Sequence, residues 1–491
     1  MISKQKTKLS NRLINVLLLG IILIIACILR LYNFNNPVSD LSSKEQSQVL
    51  TVASTIENGG GMIGRYEESL LEKKLPRETK PLYNPSRLLL YEAKTALLHK
   101  LVPFFSLDLS GRVVSIFSSL VLISCVYFLC LRFQNRRAAL FAGLFIACAP
   151  FFVLLSRKTT YHVTTIAISM IGIILLYLSN LSKRNNQKSF IYLIVSLFFT
   201  SLAVAVSPMT MIFILPILYL FYQRHNLDMF HSIPVVFYII VSILPTFLIN
   251  FFAGTLPQLL PLPIWANQIE ILNQTSGIIF FQKDFVLTML NARLIQGILG
   301  GLGIAFVGIG LFIKHKKTNL FHFFALSGFL SLVIFPHEQF TMISLQSFFI
   351  PGLALYFGVG VSTLITNKKE YSVNFFSFVL VCLFLIGSIF LSWQQVKQYF
   401  VVNQNAVQIA NILETITQES DLIATDTKGD PILLYLANRR GVPTTDNGDT
   451  ELKMAGIKYL VTSNSNYATT LSKQYKPVFK SKNAFIFDLT Q

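Results

Sequence analysis

Eleven long apolar runs restrict what this 491-residue chain can fold into more than any other feature. The hydrocarbon core of a bilayer is about 30 Å thick, so each spanning helix needs roughly 20 apolar residues. Only 13% of the residues are charged, whereas soluble domains carry roughly 25%. The chain is therefore not a soluble enzyme, and we predict an α-helical polytopic membrane protein with about eleven transmembrane helices. The runs cover 13–31, 113–131, 138–155, 163–179, 190–206, 209–223, 233–253, 294–313, 319–335, 341–364 and 372–392.

The basic residues predict how these helices are oriented. Sixteen Lys and Arg residues and only two acidic residues lie in the amino-terminal segment and in every second short loop after it. Short loops rich in Lys and Arg face the cytoplasm. We therefore expect a cytoplasmic amino terminus in the cell membrane, with the loop 32–112 and the tail 393–491 on the outside. Most of the net charge of +18 is thus explained by topology, and no nucleic-acid partner is predicted.

Two hydrophilic regions interrupt the apolar pattern, and they predict a transmembrane domain over 1–392 and a second domain over 393–491. The loop 32–112 of the first domain is predicted to form a helix from about Ser42 to Ile56. Residues 86–102 predict an amphipathic helix that lies in the membrane interface or packs on the bundle, with its charges at Glu92, Lys94 and Lys100.

The tail alternates strands and helices, which predicts a small extracytoplasmic α/β domain with a mostly parallel sheet. It would either recognise an acceptor or form a structural cap on the bundle. Its predicted helices cover 406–416, 431–440 and 467–475, and its predicted strands cover 421–425, 456–462 and 484–489.

Short motifs recur in a characteristic order along the chain. They are the stretch 29–37 (Leu-Arg-Leu-Tyr-Asn-Phe-Asn-Asn-Pro), Gly111-Arg112, Ser156-Arg157, the stretch 336–340 (Pro-His-Glu-Gln-Phe) and the stretch 435–441 (Tyr-Leu-Ala-Asn-Arg-Arg-Gly). In order and spacing they resemble the GT-C superfamily of polytopic membrane glycosyltransferases. The resemblance is to the bacterial branch related to protein O-mannosyltransferases and aminoarabinose transferases.

The resemblance implies a specific chemistry at the membrane surface. The donor is a sugar on a polyprenyl phosphate, and a carboxylate in the first outside loop acts as general base on the acceptor hydroxyl. Cationic or polar groups at helix ends hold the leaving phosphate through charge-assisted hydrogen bonds.

The first loop offers few acids for the role of general base. The resemblance implies Asp40 and Glu45 as catalytic candidates, because they are the only acidic residues early in the loop. Gln48 occupies the position at which the family pattern places a catalytic Asp. From the residues alone, Asp40 is equally suited to an Asx-turn or to capping the following helix, and Glu45 to a helix surface or a capping box.

Candidate ligands for the donor phosphate lie at helix ends. They are Arg157, Lys158 and His337, and the alternative for the first two is snorkelling to the interface. His162, as an acid or base, and Glu338, as the polar neighbour of His337, are further candidates. We identify no metal-binding cluster and no certain cofactor in the sequence, which leaves dependence on a divalent metal open.

Three hypotheses for the function follow. The first is a membrane glycosyltransferase, a hexosyl or pentosyl transferase, that moves a sugar from a polyprenyl-phosphate donor to an extracytoplasmic lipid, glycan or protein. The second is a catalytically degenerate scaffold or partner subunit of the same fold, which the neutral Gln48 favours. The third is a transporter or flippase, against which the 80-residue first loop and the lack of a repeat between halves argue.

Overall fold

The structure of the chain is a computed structural model, and it divides into two compact units. The first unit comprises 1–34, 86–91 and 112–398, and the second comprises 35–85, 92–111 and 399–491. The predicted domain division at residue 392 stays a prediction. Basic loop residues at 183–184, 314–317 and 368–369, on which part of the orientation depends, lie outside the described residues. Those described are 2–59, 66–67, 82–83, 87–182, 185–252, 282–313, 318–366, 375–445, 448–481 and 483–490.

The first unit is built from helices that coincide with the eleven predicted apolar runs. Among the described residues, seven helices are long and apolar enough to cross a membrane, and two bent helix pairs raise the number to nine. The chain is therefore a multi-pass membrane protein of the predicted class. The runs 209–223 and 319–335 contain α-helices of only 12 and 15 residues.

The helices before the tail have the following bounds. In chain order they are α1 (Ile2–Arg30), α2 (Ser43–Glu57), α3 (Leu90–Leu101), α4 (Leu107–Phe133), α5 (Arg136–Cys148), α6 (Pro150–Arg157), α7 (His162–Leu181), α8 (Asn186–Val206), α9 (Ile214–His225), α10 (Ile233–Phe252), α11 (Lys283–Ile298), α12 (Gly303–Phe312), α13 (Leu320–Ile334), α14 (Pro336–Thr341), α15 (Ile350–Thr366) and α16 (Phe375–Val396). Short 3-10 helices cover Pro208–Phe213, Asn226–His231, Ile343–Phe349 and Lys397–Phe400.

Two breaks bend the helices of the first unit. The axes of α5 and α6 differ by 62° across the junction at Pro150, and those of α11 and α12 differ by 99°. Proline cannot donate the backbone hydrogen bond that continues a helix, which explains the first break. The second follows a π-helical stretch, Val286–Ile298, and occurs at Gly300 and Gly301, whose φ angles of 58° and 68° favour glycine.

The second unit holds α2, most of α3 and the tail. Its further elements have the bounds β1 (Tyr66–Glu67), β2 (Leu82–Tyr83), α17 (Gln404–Ile416), β3 (Leu422–Thr425), α18 (Ile432–Leu436), β4 (Arg440–Val442), α19 (Gly448–Met454), β5 (Tyr459–Thr462), α20 (Ser465–Leu471), β6 (Pro477–Lys480) and β7 (Phe485–Asp488). The sheet of the tail has the order β4-β3-β5-β7-β6, with parallel pairs among the first three strands and antiparallel pairs at β5–β7 and β7–β6.

The structure confirms the predicted small α/β domain in the tail, but three details of the prediction are wrong. The sheet is mixed, and the prediction missed β4, β6 and α19. The helix predicted over 431–440 ends early, because Asn438 adopts a left-handed conformation with φ 50°, a common way to end a helix. Arg440 therefore begins a strand.

Candidate functional site

Four cationic side chains are almost completely buried in the first unit. Arg30, Arg112, Arg157 and Lys158 are each at most 2% exposed. A buried charge is costly unless hydrogen bonds or an opposite charge compensate it. The described part of this unit contains only three acidic residues, at 228, 284 and 338. The unit therefore concentrates positive charge in an apolar bundle.

Two of the arginines hold the chain where it leaves α1. Arg157 donates to the carbonyl of Tyr32, and Arg112 donates to the carbonyl of Phe34. Between those carbonyls lies Asn33, with a left-handed φ of 53°. Three of the motifs that carried the sequence resemblance thus meet at one turn.

Arg30 compensates the break between α5 and α6. Its guanidinium donates to the carbonyls of Ile146 and Ala147 at 3.2 Å each, and its carbon Cζ lies 5.4 Å from the ring centroid of Phe152. In an unbroken helix the carbonyl of Ile146 would accept from residue 150, but Pro150 has no N–H. Arg30 supplies the missing donor.

The main chain of Lys158 is fixed from a neighbouring helix. Ser115 Oγ donates to the Lys158 carbonyl at 2.6 Å, and Tyr91 Oη lies 2.9 Å from the same Oγ. The side chains of Arg157 and Lys158 are almost completely buried, whereas a snorkelling side chain keeps its charged end in water. The snorkelling alternative is therefore wrong for both residues. His162, at the start of α7, is also buried, and its ring centroid lies 4.2 Å from that of Tyr161.

His337 and Glu338 lie on the short helix α14, and both are half-buried. Arg293, on the π-helical part of α11, donates to the carbonyls of Gln339 and Phe340 at 2.8 and 2.9 Å. Arg293 was not among the predicted site residues, and its only signal in the sequence is a cation just before an apolar run. Gln339 of α14 also donates to Ser331 Oγ at 2.9 Å, and its carbonyl accepts from Gln346 Nε2 at 2.8 Å. None of these described contacts links His337 to Arg157.

The candidate acids belong to the second unit. Asp40 is 7% exposed, and its Oδ1 accepts from Gln46 Nε2 at 2.7 Å. Asp40 is not the N-cap of α2, because Ser42 occupies that position. The Asx-turn alternative stays a prediction. Glu45 and Gln48 lie in the first two turns of α2, and both are half-buried.

The buried and exposed faces of α3 differ from those that the sequence predicted. Glu92 and Thr95 are fully buried, whereas Leu97 and Leu101 are more than half exposed. The predicted polar face is therefore partly the buried one. A buried carboxylate is unusual enough to mark Glu92 as a functional candidate, and its position on an amphipathic helix concealed it. The pKa of Lys94, on the same helix, is lowered by partial burial.

An apolar cavity of about 210 Å³ lies at the helix breaks of the first unit. Cys148, Ala149 and Pro150 line it at the first break, and Ile298 lines it just before the second. Elsewhere its walls are apolar except for Ser388 and Ser392. In the described part of the chain, no three His, Cys, Asp or Glu side chains are grouped to hold a metal ion.

Comparisons with known proteins identify the fold. Residues 91–249 match the family model described as dolichyl-phosphate-mannose-protein mannosyltransferase. The structure resembles ArnT from Cupriavidus metallidurans bound to undecaprenyl phosphate, with a TM-score of 0.61 and 11% identity over 96% of this chain and 97% of that one. The apo state of the same ArnT also gives a TM-score of 0.61, at 12% identity and the same coverage.

A further similar structure comes from an archaeon. AglB from Archaeoglobus fulgidus, an oligosaccharyltransferase in complex with an inhibitory peptide and a dolichol-phosphate, gives a TM-score of 0.59. The identity is 12%, over 98% of this chain and 75% of that one. No curated protein sequence matches the chain. The chain therefore has the same fold as ArnT and AglB, which is the GT-C fold that its motifs predicted. Its residues 91–249 match the mannosyltransferase family model.

Proposed function

We propose that the protein transfers a sugar from a polyprenyl-phosphate donor to an acceptor hydroxyl on the extracytoplasmic side of the membrane. The observation that carries this proposal is the excess of buried positive charge in the first unit, with Arg157 and Lys158 adjacent at the end of α6. A lipid phosphate is an anion that enters a bilayer protein from the side. A site with excess positive charge in an apolar bundle suits it.

The apolar cavity supports a lipid-linked donor. Pro150, at the start of α6, lines the cavity. Arg157 and Lys158 follow at the other end of that helix, roughly 10 Å away at 1.5 Å per residue. If the phosphate is held near Lys158, the apolar cavity at the other end of α6 is available to its isoprenoid chain. Structures of similar fold carry undecaprenyl phosphate or dolichol-phosphate.

Asp40 is the preferred general base, and Glu45 is the second candidate. In the proposed step the acceptor oxygen bonds to the anomeric carbon, while the bond from that carbon to the phosphate oxygen breaks. The acceptor proton passes to the carboxylate, and polyprenyl phosphate leaves. Gln46 Nε2 orients the Asp40 carboxylate by its hydrogen bond, as a positioned base requires.

Transfer by the reconstituted protein tests the proposal. We expect wild-type protein to move labelled sugar from a polyprenyl-phosphate donor, and Asp40→Asn to lose about 100-fold or more in kcat. Glu419→Gln, an exposed acid in the same unit, is the control and should keep wild-type activity. Lys158→Ala should weaken donor binding by roughly 10-fold or more, because a hydrogen bond to a charged group is lost.

The scaffold hypothesis has one observation in its favour, the neutral amide of Gln48 at the position where the family pattern has an acid. Under that hypothesis the protein binds polyprenyl phosphate, but no donor is turned over. Binding without transfer across a set of pentosyl and hexosyl donors would replace the first proposal with this one.

A further inference from the structure

The turn that carries Asp40 is tied to the tail at both of its ends. On one side, the Asn403 N–H donates to the Ser39 carbonyl at 2.8 Å. On the other side, Ser43 Oγ donates to Asp430 Oδ2 at 3.2 Å. These contacts all lie inside the second unit, and they fix the residues that flank Asp40 to the start of α17 and to the loop after β3.

Asp430 is itself held in place. Its Oδ1 accepts from the Ile432 N–H at 3.0 Å, at the start of α18. Partial burial raises the pKa of its carboxyl above the ordinary value, against the opposing effect of its hydrogen-bond donors. The acceptor for Ser43 is therefore a fixed part of the α/β domain.

An apolar cluster fastens the same turn and helix. Val38, just before the turn, and Leu50, on α2, are buried together with Ala406, Ile432 and Leu433 of the tail. Burial of aliphatic side chains is a main source of stability, so these two residues anchor the turn and α2 to the tail.

The backbone of the turn is strained between these anchors. Ser42 has φ 68° and ψ 31°, a left-handed conformation that is unfavourable for a non-glycine residue. Such a conformation persists only where the surroundings determine it. The Ser43 N–H closes the turn by donating to the Asp40 carbonyl at 3.1 Å.

We propose that the α/β domain positions the catalytic turn 39–43, with Ser43 and Asp430 as positioning residues that set the place of Asp40. This inference rests on the proposed role of Asp40 as general base. It assigns the tail a part in catalysis, whereas the sequence left open acceptor recognition or a structural cap.

Kinetics of the reconstituted full chain test the inference. Asp430→Ala removes the acceptor, and we expect kcat to fall about 10-fold, because a displaced base is a poor one. KM for the polyprenyl-phosphate donor should stay unchanged, since neither residue belongs to the proposed phosphate site. Asp430→Asn should retain most of kcat, because its amide can accept from Ile432 N–H and donate to Ser43 Oγ.

Three outcomes decide the kinetic test. A fall in kcat at constant KM with recovery in Asp430→Asn supports positioning by hydrogen bonds. A wild-type kcat in Asp430→Ala overturns the inference. A rise in KM as large as the fall in kcat also overturns it, because the change would then act on donor binding.

Hydrogen exchange separates this inference from the proposed function. If wild-type protein transfers no sugar, the role of Asp40 fails, but the attachment of α2 can still be measured. Ser43→Ala should then speed exchange of amides 43–50 about fivefold, the equivalent of one net hydrogen bond, while α20 exchanges as in wild type. Unchanged exchange over 43–50 would refute the attachment.

Discussion

Arginine at position 30 illustrates how a buried cation can be required by the backbone. Pro150 leaves the carbonyl of Ile146 without its helical donor, and the guanidinium of Arg30 bonds that carbonyl and the next one. A guanidinium can serve several carbonyls at once because it carries five N–H donors in a plane. The same property lets Arg112 and Arg157 hold the turn after α1.

Arg30→Met tests this account at the scale of one residue. We expect it to lower the free energy of unfolding by about 2–4 kcal/mol, because two buried carbonyls lose a charged donor. The free energy of unfolding of Arg30→Lys should lie between those of wild type and Arg30→Met, since one ammonium cannot reach both carbonyls with the same geometry. The measurement is thermal unfolding of the purified protein in detergent.

Arg12→Met provides the matched control, because Arg12 lies on the same helix and is exposed. It should change stability by less than about 0.5 kcal/mol. In a Pro150→Ala background, where residue 150 can donate to Ile146, the cost of Arg30→Met should shrink. Equal costs in both backgrounds would contradict the link between Arg30 and the break.

Residue roles were predictable from sequence only where a motif marked them. The pairs Gly111-Arg112 and Ser156-Arg157 were recognisable as pattern, but their partners, the carbonyls of residues 34 and 32, were not. Every residue has a main-chain carbonyl, so the identity of a residue does not reveal whether its carbonyl is such a partner. Glu92 was misassigned because helical periodicity predicts a polar face, and only packing reveals that this face is buried.

At the scale of elements, hydropathy predicted where helices occur but not where they bend. The run 138–155 is one apolar stretch in the sequence, and in the structure it is two helices at 62°. The second break, between α11 and α12, requires glycine because the chains pack closely there. A Cβ on Gly300 would lie 1.8 Å from the main-chain oxygen of Ser388. The side chain of Ser388 also contacts this break, since its Oγ donates to the Leu299 carbonyl at 2.6 Å.

Gly300→Ala should therefore be strongly destabilising. The methyl group would overlap the backbone of α16, and the left-handed φ adds about 1–2 kcal/mol. We expect a large fall in melting temperature or loss of the folded protein on size-exclusion chromatography. Gly308→Ala, in α12, is the control: no atom lies within 4 Å of its Cβ, so stability should be unchanged or slightly higher. Similar melting temperatures for both variants would show that the break tolerates a side chain.

The tail shows the same division between local and long-range information. Alternating strands and helices predicted an α/β domain correctly, because those signals are local. The antiparallel addition of β7 to β5 depends on pairing over sequence distance. β6 joins β7 through a short loop, but it has alternating burial at the sheet edge and little apolar signal. Such edges depend on the sheet they join.

At the scale of the whole chain, the second unit is assembled from three segments. Its apolar cluster draws Val38 and Leu50 from the first loop and Ala406, Ile432 and Leu433 from the tail. The loop and the tail therefore share a core, and neither keeps that core without the other. The first unit contains the apolar helices and has its own buried side chains.

Removal of residues 399–491 should therefore destabilise α2 in the first loop, while the helices of the first unit stay folded. We expect trypsin to cleave after Lys44 much faster in the truncated chain than in the full chain, because α2 loses the partners of Val38 and Leu50. Cleavage at Arg136 and Arg137, in the first unit, should proceed equally in both and serves as the internal control. The sites are read by mass spectrometry after short digestion, with circular dichroism to confirm the helical content. Equal resistance at Lys44 in both chains would contradict the shared core as the source of the loop's stability.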